Sequence, residues 1–420
     1  MAKRQVKVTV QIDGTDIACG TLNQNVRNNR ETLSFSYASS YLSNPNAFAL
    51  SPDLPLGAGS FHSIGMVELR AFGDCMPDRW GRNLMRREEA RIAKQEARAP
   101  RTLFELDMLC GVNDAQRQGA IRLWDESGSI LTPTDEGAPR EVDLPHLLDA
   151  ADLAADDLSA DIHDLFAAGS SLGGARPKAS VRNGSGNLFI AKFPRKDESK
   201  LDDVCAWEKV ALEIFSSCGL VTPESKLLRI AGRSVLLVER FDRDGEKRIP
   251  YLSGLSAIRG CDGAEGYSYL DLADFLAQEG ANATADRRAL WAHALLSAAI
   301  GNTDNHMRNF GFMRGDHGWR LAPFFDVNPT SLSNGSRFAV CIADDGTPHS
   351  VASAMELCEL FDVSTAEAKE FAQKSEKNLA TWKRVASACG ITEASQETMR
   401  PRIEQGLNEL SQAAEQKSAT

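Results

Sequence analysis

The sequence predicts an α+β fold, with strands near the beginning of the chain and helices towards its end. Apolar and polar residues alternate between positions 6 and 12, and Leu33, Phe35 and Tyr37 repeat that period of two, which is typical of half-buried strands. After Asp326, apolar residues recur at helical spacing, notably at 365–388 and 396–414. The two patterns occupy different parts of the chain, which is the basis of the predicted fold class.

The composition indicates which class of protein this is. The chain has 420 residues, of which 42% are hydrophobic and 25% charged, as in an ordinary globular protein with more than one domain. No apolar run approaches the length that spans a membrane, and Lys7 and Thr9 interrupt the first valines, so no signal peptide is expected. Nine cysteines without a CxxC pair are typical of reduced thiols. We therefore expect a soluble, cytoplasmic protein without a membrane partner.

The net charge of −11 does not favour direct binding of nucleic acid, because such binding depends largely on cation–phosphate contacts. One run, residues 81–98, is rich in arginine but also contains glutamates. It could form a local basic patch. The preferred interpretation is a solvated helix face with ion pairs between successive turns.

Residues 1–125 are predicted to form a β-rich N-terminal subdomain that becomes helical from about Asp78. Asp13 and Gly14 offer a hairpin turn after the first strand. We find no catalytic constellation in this subdomain. The segments predicted beyond it are a linker rich in Gly, Pro, Ser and acidic residues at 126–142, two lobes at 143–243 and 244–412, and a frayed tail at 413–420.

A glycine-rich segment, GSSLGGARPKA at 169–179, precedes a predicted hairpin. Gly173 and Gly174 allow backbone conformations that other residues resist. The segment matches neither of the generic nucleotide-binding glycine motifs, so it is either a flexible connector or a loop whose N–H groups approach phosphates. Its place directly before the hairpin favours the second interpretation.

Lys192 lies in an apolar run, LFIAKFP at 188–194, which forms the second strand of this hairpin after a turn at Asn183 and Gly184. A lysine in such a strand can simply extend its charged end from a half-buried position. In a protein kinase, a lysine in this kind of strand reaches the ATP phosphates and pairs with a helix glutamate.

Glu208 is the candidate for that glutamate. It lies in an amphipathic run that Gly219 would terminate as a helix cap. The alternative is a solvated helix glutamate. The strand lysine before it and the carboxylates after it favour the ion-pair role.

The segment LLVERFDR at 236–243 reads as an apolar strand that runs into a charged turn. Between the two lobes of a kinase this is the hinge, which binds adenine mostly through backbone groups. A strand end with a surface ion pair is the alternative.

The run GNTDNHMRNFGF at 301–312 places a carboxylate, Asp304, five positions before an amide, Asn309. A second carboxylate, Asp326, follows in LAPFFDV. Phosphoryl transfer needs one Asp that accepts the proton of a hydroxyl, and an Asn and an Asp that hold Mg²⁺ against the ATP phosphates. The spacing alone would also fit ordinary turn chemistry. Because the other kinase parts precede it in the correct order, the sequence predicts an α+β protein with a two-lobed, protein-kinase-like C-terminal domain.

Together these segments resemble one family, the HipA serine/threonine kinases, which are the toxins of bacterial type II toxin–antitoxin pairs. The glycine loop with RPKA, the IAKFP strand, VERFDR, TDxHxxNF and LAPFFDV occur in that family in this order, and PDRWGRNLMRR at 77–87 resembles its N-terminal subdomain. The resemblance covers nearly the whole chain. Arg176 and Pro177 stand where some relatives have glutamine and glutamate.

The resemblance implies a role for each matching residue. Asp304 would be the catalytic base, and His306 would either face the γ-phosphate or only orient the loop. Asn309 and Asp326 would hold Mg²⁺. The residues that would form the ATP site are Lys192, its partner Glu208, Gly173, Gly174, Glu239, Phe241 and Asp242.

The resemblance also implies self-inhibition by autophosphorylation of a serine in the glycine-rich loop. Counting back from Lys178 assigns Ser171, with the adjacent Ser170 as the alternative. A phosphate adds roughly −1.5 to −2 charge, so it would repel the ATP phosphates from the loop.

Substrate and partners follow from the same resemblance. It implies that a translation component is phosphorylated, such as an aminoacyl-tRNA synthetase, with glutamyl-tRNA synthetase as the best-known target of the family. It also implies a HipB-like helix-turn-helix antitoxin, through which this acidic chain would reach operator DNA. Two alternatives remain: a co-repressor scaffold without significant kinase activity, and a small-molecule kinase of the aminoglycoside-phosphotransferase kind.

Overall fold

A computed structural model describes residues 2–66, 69–131, 138–156, 176–199, 201–335 and 337–415. Contacts divide the chain into two compact units, which are described separately below. Unit 1 contains residues 1–196, 230–233 and 237–252, and unit 2 contains residues 197–229, 234–236 and 253–420. The predicted boundaries at 125, 142 and 243 stay predictions.

Unit 1 begins with an antiparallel sheet. The apolar side chains of the predicted alternating pattern are the buried ones. Val6, Val8 and Val10 are buried, and the first hairpin turns at Asp13 and Gly14, both with positive φ, as predicted. The strands are β1 (Ala2–Ile12), β2 (Thr15–Arg27), β3 (Arg30–Tyr37), β4 (Phe61–Ser63) and β5 (Ile121–Trp124), in the spatial order β4-β3-β2-β1-β5.

The helices of unit 1 include the one that the sequence predicts from about Asp78. Asp78 is its N-cap, because its Oδ1 accepts a hydrogen bond from the N–H of Gly81 at 2.7 Å. Glu88 pairs with Arg91 one turn further along the helix, as expected. However, Glu88 and Glu89 are buried, and Glu89 pairs with Arg98 beyond the end of the helix, so the predicted solvated face is present only in part. The bounds are α1 (Ser39–Leu42), α2 (Arg70–Gly73), α3 (Arg79–Gln95), α4 (Glu105–Cys110) and α5 (Leu144–Asp156).

The predicted hairpin near Lys192 is present, with strands close to the expected bounds. The turn spans 183–187 and is held by the Oδ1 of Asn183, which accepts from the N–H groups of Ser185 and Asn187. The glycine with positive φ in this turn is Gly186. The strands are β6 (Lys178–Arg182), β7 (Leu188–Lys192), β8 (Ser225–Ile230) and β9 (Arg233–Glu239), in the order β6-β7-β9-β8, followed by the short β10 (Arg243–Asp244) and β11 (Lys247–Arg248).

Unit 2 is mainly helical. Its first helix, α6 (Val204–Ser217), ends before Gly219, whose φ of 91° confirms the predicted glycine cap. A three-stranded sheet, in the order β12-β13-β14, lies beside the later helices. The elements that follow β11 in the chain are β12 (Tyr251–Ser253), β13 (Gly311–Gly315), β14 (Gly318–Leu321), α7 (Gly254–Ala257), α8 (Tyr269–Glu279), α9 (Ala283–Ile300), α10 (Val351–Glu356), α11 (Thr365–Leu379), α12 (Trp382–Ala388) and α13 (Glu393–Glu415).

The core of unit 2 is built around α9, whose residues from Leu290 to Ile300 are all buried. The helix α13 approaches it so closely that a Cβ on Gly406 would overlap the carbonyl group of Ala299. The predicted helix at 365–388 is two helices, α11 and α12, and α13 extends to Glu415, beyond the expected start of the frayed tail. Among the described residues, no helix combines the length and apolar character that a membrane span needs. The predicted α+β class is confirmed.

Candidate active site

The predicted catalytic loop begins where α9 ends. Gly301 terminates the helix in the left-handed conformation, with φ of 68°. The side chains of Asp304 and His306 are exposed beyond it, whereas Asn309 is buried. The Nδ2 of Asn309 donates a hydrogen bond to the backbone carbonyl of Asp304 at 3.1 Å. The structure therefore brings the predicted base and the predicted metal-binding amide together in one closed loop.

The loop is anchored to the core through Asn305. Its Nδ2 donates to the hydroxyl oxygen of Tyr269 at 2.8 Å, and both residues are buried. The Tyr269 hydroxyl also lies 3.3 Å from the Nδ1 of His293, and the rings of Tyr269 and His349 are 4.9 Å apart. Burial lowers the pKa of His293 to about 3, with a smaller contribution from His349, and burial lowers the pKa of His349 to about 4. Both histidines are thus neutral members of the core.

Asp326 is held by contacts from two directions. Its backbone N–H donates to the Oε1 of Glu208 at 3.2 Å, and the Nδ2 of Asn328 donates to its Oδ1, also at 3.2 Å. Its φ is 58°, in the left-handed region that non-glycine residues rarely occupy. Glu208, on α6, is only 2% exposed. Two predicted site residues, Glu208 and Asp326, are therefore in direct contact.

The segment after Asp326 is tied to the catalytic loop. The N–H of Asn328 donates to the Oδ1 of Asn302 at 3.2 Å, and the N–H of Thr330 donates to the carbonyl of Gly301 at 3.0 Å. The hydroxyl of Thr303 donates to that of Thr330 at 2.9 Å. These bonds fix the segment that carries Asp326 against the loop that carries Asp304 and Asn309.

Lys192, Glu239, Phe241 and Asp242 all lie in unit 1. Lys192 ends β7 and is half-buried, directly across the ladder from Lys178 on β6. The Nζ of Lys178 is 3.5 Å from the Oδ2 of Asp78, and burial raises the pKa of Asp78 to about 6 although Lys178 opposes this. The pairing of Lys192 with Glu208 stays a prediction.

Asp242 lies in a buried ionic cluster. It is 3% exposed and makes ion pairs with Arg240 and Arg243, and its Oδ2 accepts from the N–H of Gly119 at 2.7 Å. Burial alone would raise the pKa of Asp242, but the two guanidinium groups hold it below its usual range. These contacts indicate a structural role for the side chain, and its predicted closeness to the nucleotide stays a prediction.

Most of the predicted glycine-rich loop lies outside the part of the chain that the structure describes. Gly173, Gly174, Ser170 and Ser171 lie outside the described residues. Their predicted roles in phosphate binding and autophosphorylation stay predictions.

The described residues fit a magnesium ion bound by few protein groups. They contain no cluster of three or more His, Cys, Asp or Glu side chains that could hold a metal. Asn309 and Asp326, the predicted ligands, carry the side-chain oxygens that would hold the ion, and Mg²⁺ commonly binds one or two such groups together with substrate phosphates and water. The Oδ1 atoms of Asn305 and Asn328 are buried without hydrogen-bond partners, so the surroundings of these ligands are polar and not fully satisfied within the chain.

Sequence reasoning missed the residues that hold the predicted ones in place. These are Asn302, Asn305, Asn328, Thr330 and Tyr269. The only local signal was the density of short polar residues in GNTDN and DVNPT, which also fits turns.

Two family models match the chain. The "HipA N-terminal domain" matches residues 10–106, and the "HipA-like C-terminal domain" matches residues 170–417, more than half of the chain. This chain belongs to the HipA family. The resemblance predicted from the motifs is confirmed, and the second match includes all the predicted site residues, from Ser170 to Asp326.

Two solved structures are similar to this chain, and the first of them shares its fold. A chain of the Shewanella oneidensis complex of the toxin–antitoxin proteins HipA and HipB with operator DNA superposes with a TM-score of 0.68 at 16% identity, covering 98% of this chain and 100% of that chain. The proinflammatory kinase CtkA of Helicobacter pylori has a TM-score of 0.46 at 17% identity, covering 58% of this chain and 92% of that chain.

A curated relative from Haemophilus influenzae is described as a putative kinase. It is 27% identical over 183 residues, which is 38% of this chain and 52% of the relative. This HipA-family chain therefore matches about half the length of that protein.

Proposed function

We propose that this HipA-family protein is an ATP- and Mg²⁺-dependent serine/threonine protein kinase. The observation that carries the proposal is that hydrogen bonds within unit 2 connect Asp304, Asn309 and Asp326. Asn309 bonds directly to Asp304. Asn328 bonds to Asp326 and to Asn302, which lies two positions before Asp304. An exposed carboxylate beside two oxygen ligands is the arrangement that phosphoryl transfer requires.

Asp304 is the proposed base. Its side chain is exposed while its backbone carbonyl is held by Asn309, so the carboxylate can meet a substrate hydroxyl from a fixed position. It would accept the hydroxyl proton as that oxygen bonds to the γ-phosphorus of ATP, while the bond from this phosphorus to the bridging oxygen breaks and ADP leaves. His306 is exposed two positions further on, where it can contact a transferred phosphoryl group.

Asn309 and Asp326 are the proposed magnesium ligands. Because the Nδ2 of Asn309 is committed to the carbonyl of Asp304, its Oδ1 is the atom that remains for a metal. Bound Mg-ATP supplies the phosphoryl group, with its charge neutralised by the metal. Lys192 would hold the α and β phosphates, Glu208 would orient that lysine, and the backbone groups of Glu239 and Phe241 would bind adenine.

The cellular role proposed is that of a HipA toxin. The protein would phosphorylate a translation component, in the first instance an aminoacyl-tRNA synthetase such as glutamyl-tRNA synthetase, and so arrest growth. A HipB-like antitoxin would neutralise it in the cytoplasm and carry it to operator DNA. The Shewanella protein of the same fold was solved with HipB and operator DNA, which supports this part of the proposal. Autophosphorylation of Ser171, or of Ser170, would switch the enzyme off.

The proposal is tested by intact mass after incubation with Mg²⁺-ATP, with and without a candidate synthetase. The wild type should gain phosphate and pass it to the substrate, and Asp304→Asn should do neither. Ser171→Ala should lose or relocate the phosphate on the enzyme while still modifying the substrate. Asp316→Asn, a change of an exposed aspartate in the turn between β13 and β14, is the matched control and should behave as wild type.

Absence of phosphate from every protein, including enzyme purified directly from cells, would contradict the kinase assignment. The co-repressor function would then be favoured if the protein still bound operator DNA with its antitoxin. Transfer to a small molecule but not to protein would favour the small-molecule kinase.

A further inference from the structure

Two asparagines outside the predicted site form a chain of hydrogen bonds that ends at Asp326. The Oδ1 of Asn302 accepts from the N–H of Asn328, and the Nδ2 of Asn328 donates to the Oδ1 of Asp326, each over 3.2 Å. Asn302 is fully buried and lies two positions before Asp304. These hydrogen bonds therefore connect the first residues of the predicted catalytic loop to the carboxylate proposed to bind magnesium.

Asp326 needs such support for a physical reason. Its φ of 58° places it in the left-handed region, which costs a non-glycine residue of the order of 1–3 kcal/mol unless its surroundings fix the conformation. The N–H is fixed by Glu208, and the carboxylate is fixed by Asn328. Without Asn328, Asp326 would lose a hydrogen bond that restrains its carboxylate, and its left-handed backbone would be held less firmly.

The geometry also distinguishes the roles of the two amides. Asn328 acts as a donor to a carboxylate, so the replacement of its amide by another carboxylate would place like charges together. Asn302 acts as an acceptor for a backbone N–H. The Nδ2 of Asn302 and the Oδ1 of Asn328 are buried without hydrogen-bond partners. Only the oxygen of the Asn302 side chain and only the nitrogen of the Asn328 side chain therefore take part in this series of hydrogen bonds.

We infer that Asn328 is a positioning residue for Asp326, and that Asn302 fixes Asn328 in the orientation in which it does so. This inference rests on the proposed function, because Asp326 is a magnesium ligand only if the protein is a kinase. Both asparagines would act through Asp326 and not by direct contact with substrate or metal. Their effect would be to hold one oxygen of Asp326 in a fixed position by hydrogen bonding, so that the carboxylate is ordered before a metal binds.

Two measurements test the inference. The first is hydrogen exchange of the Asp326 amide, which does not depend on any activity. The second is the binding of ADP with and without Mg²⁺, measured by calorimetry. Loss of a hydrogen-bonding partner of a metal ligand typically costs about 10–100-fold in metal affinity. Asn328→Ala should therefore weaken Mg²⁺-dependent ADP binding roughly 10-fold or more, leave metal-free binding unchanged, and speed exchange at Asp326.

Asn328→Asp keeps the size of the side chain but removes the donor, so it should lose Mg²⁺-dependent binding at least as strongly as Asn328→Ala. Asn302→Ala should change both readouts in the same direction. The matched control is Asn378→Ala, which removes an exposed amide on α11 whose Nδ2 donates to the carbonyl of Lys374. It should match the wild type in both measurements.

Wild-type exchange and wild-type Mg²⁺ dependence in both Asn328 variants would overturn the inference. If the alanine variant did not fold, the aspartate variant would decide. A wild type that binds no ADP under any condition, together with faster exchange in the Asn328 variants, would contradict the proposed kinase but leave the positioning of Asp326 intact. The two failures are thus distinguishable.

Discussion

The carboxylate oxygen Oε1 of Glu208 accepts a hydrogen bond from the backbone N–H of Asp326, with 3.2 Å between the two atoms. The two residues are 118 positions apart in the chain, and both lie in unit 2. The sequence predicts Glu208 as the partner of Lys192, and this contact gives Glu208 a second role. It links helix α6 to the segment that carries a proposed magnesium ligand.

Replacing Glu208 should therefore impair the placement of Asp326. Glu208→Ala removes the charged acceptor, a contribution of about 1.5–3 kcal/mol, and should lower phosphate transfer roughly 10–100-fold. Glu208→Gln retains an oxygen acceptor and should lose less. Steady-state transfer measurements would compare these with Glu213→Gln, a change of a half-exposed glutamate on the same helix that pairs with Lys209. Equal loss in the Glu213 variant would contradict the specific role of Glu208.

Gly301 should not tolerate a side chain. Its φ is 68°, and a Cβ there would overlap the side chain of Arg402, which donates to the carbonyl of Thr330 at 2.9 Å. Gly301→Ala should cost roughly 1–2 kcal/mol for the left-handed backbone alone and should also displace Arg402. The urea midpoint and the transfer rate should both fall.

Gly315→Ala is the control for that substitution. A Cβ on Gly315 would meet only the carbonyl oxygen of Gly318 at 3.8 Å, an ordinary contact distance. An unchanged urea midpoint in Gly301→Ala would show that the backbone at the start of the loop can adjust to a side chain, and would contradict this prediction.

The stability of the protein should fall in acid because of two buried histidines. The folded-state pKa values of His293 and His349 are lowered to about 3 and about 4, whereas an unfolded histidine titrates near its usual value of about 6.5. As the pH falls below about 6.5, the unfolded chain gains protons that the folded protein does not. Each histidine then lowers the free energy of unfolding by about 1.4 kcal/mol per pH unit until the pH reaches its folded pKa.

The melting temperature at pH 7.5 and pH 5 would measure this effect. His293→Phe should reduce the loss on acidification, because phenylalanine fills the aromatic site without a titrating group. His317→Gln, a change of an exposed histidine, should leave the loss as in the wild type. Identical pH dependence in all three proteins would show that other groups control acid stability.

Asp242 should matter for folding more than for chemistry. Its removal would leave Arg240 and Arg243 buried without their counter-ion. The loss of one partner from a buried ionic cluster typically costs about 3–5 kcal/mol, so Asp242→Ala should strongly lower the urea midpoint. Asp244→Asn, at the exposed neighbouring aspartate, should have little effect. A stable Asp242→Ala protein that fails to bind ADP would restore the nucleotide contact first predicted for this residue.

Short-range sequence patterns determined several elements of the fold and part of the candidate site. The alternation in β1, the helix start at Asp78 and the placement of Asp304 five residues before Asn309 depend on neighbours in the chain, and the structure contains all three. The motifs, taken in order, also predicted the HipA family, which the family models confirm. Local reasoning failed where several local solutions are equivalent, as in the break between α11 and α12.

Only the tertiary structure decided which side chains support the site. Asn302 and Asn328 are 26 positions apart, and Glu208 and Asp326 are 118 apart, so no local pattern relates them. Asp242 reads as a charged turn residue in the sequence, yet folding buries it between two arginines. The physical reason is that the choice of hydrogen-bond and ion-pair partners is made by burial. A polar group removed from water must find a partner among the groups that the fold brings next to it, wherever they lie in the chain.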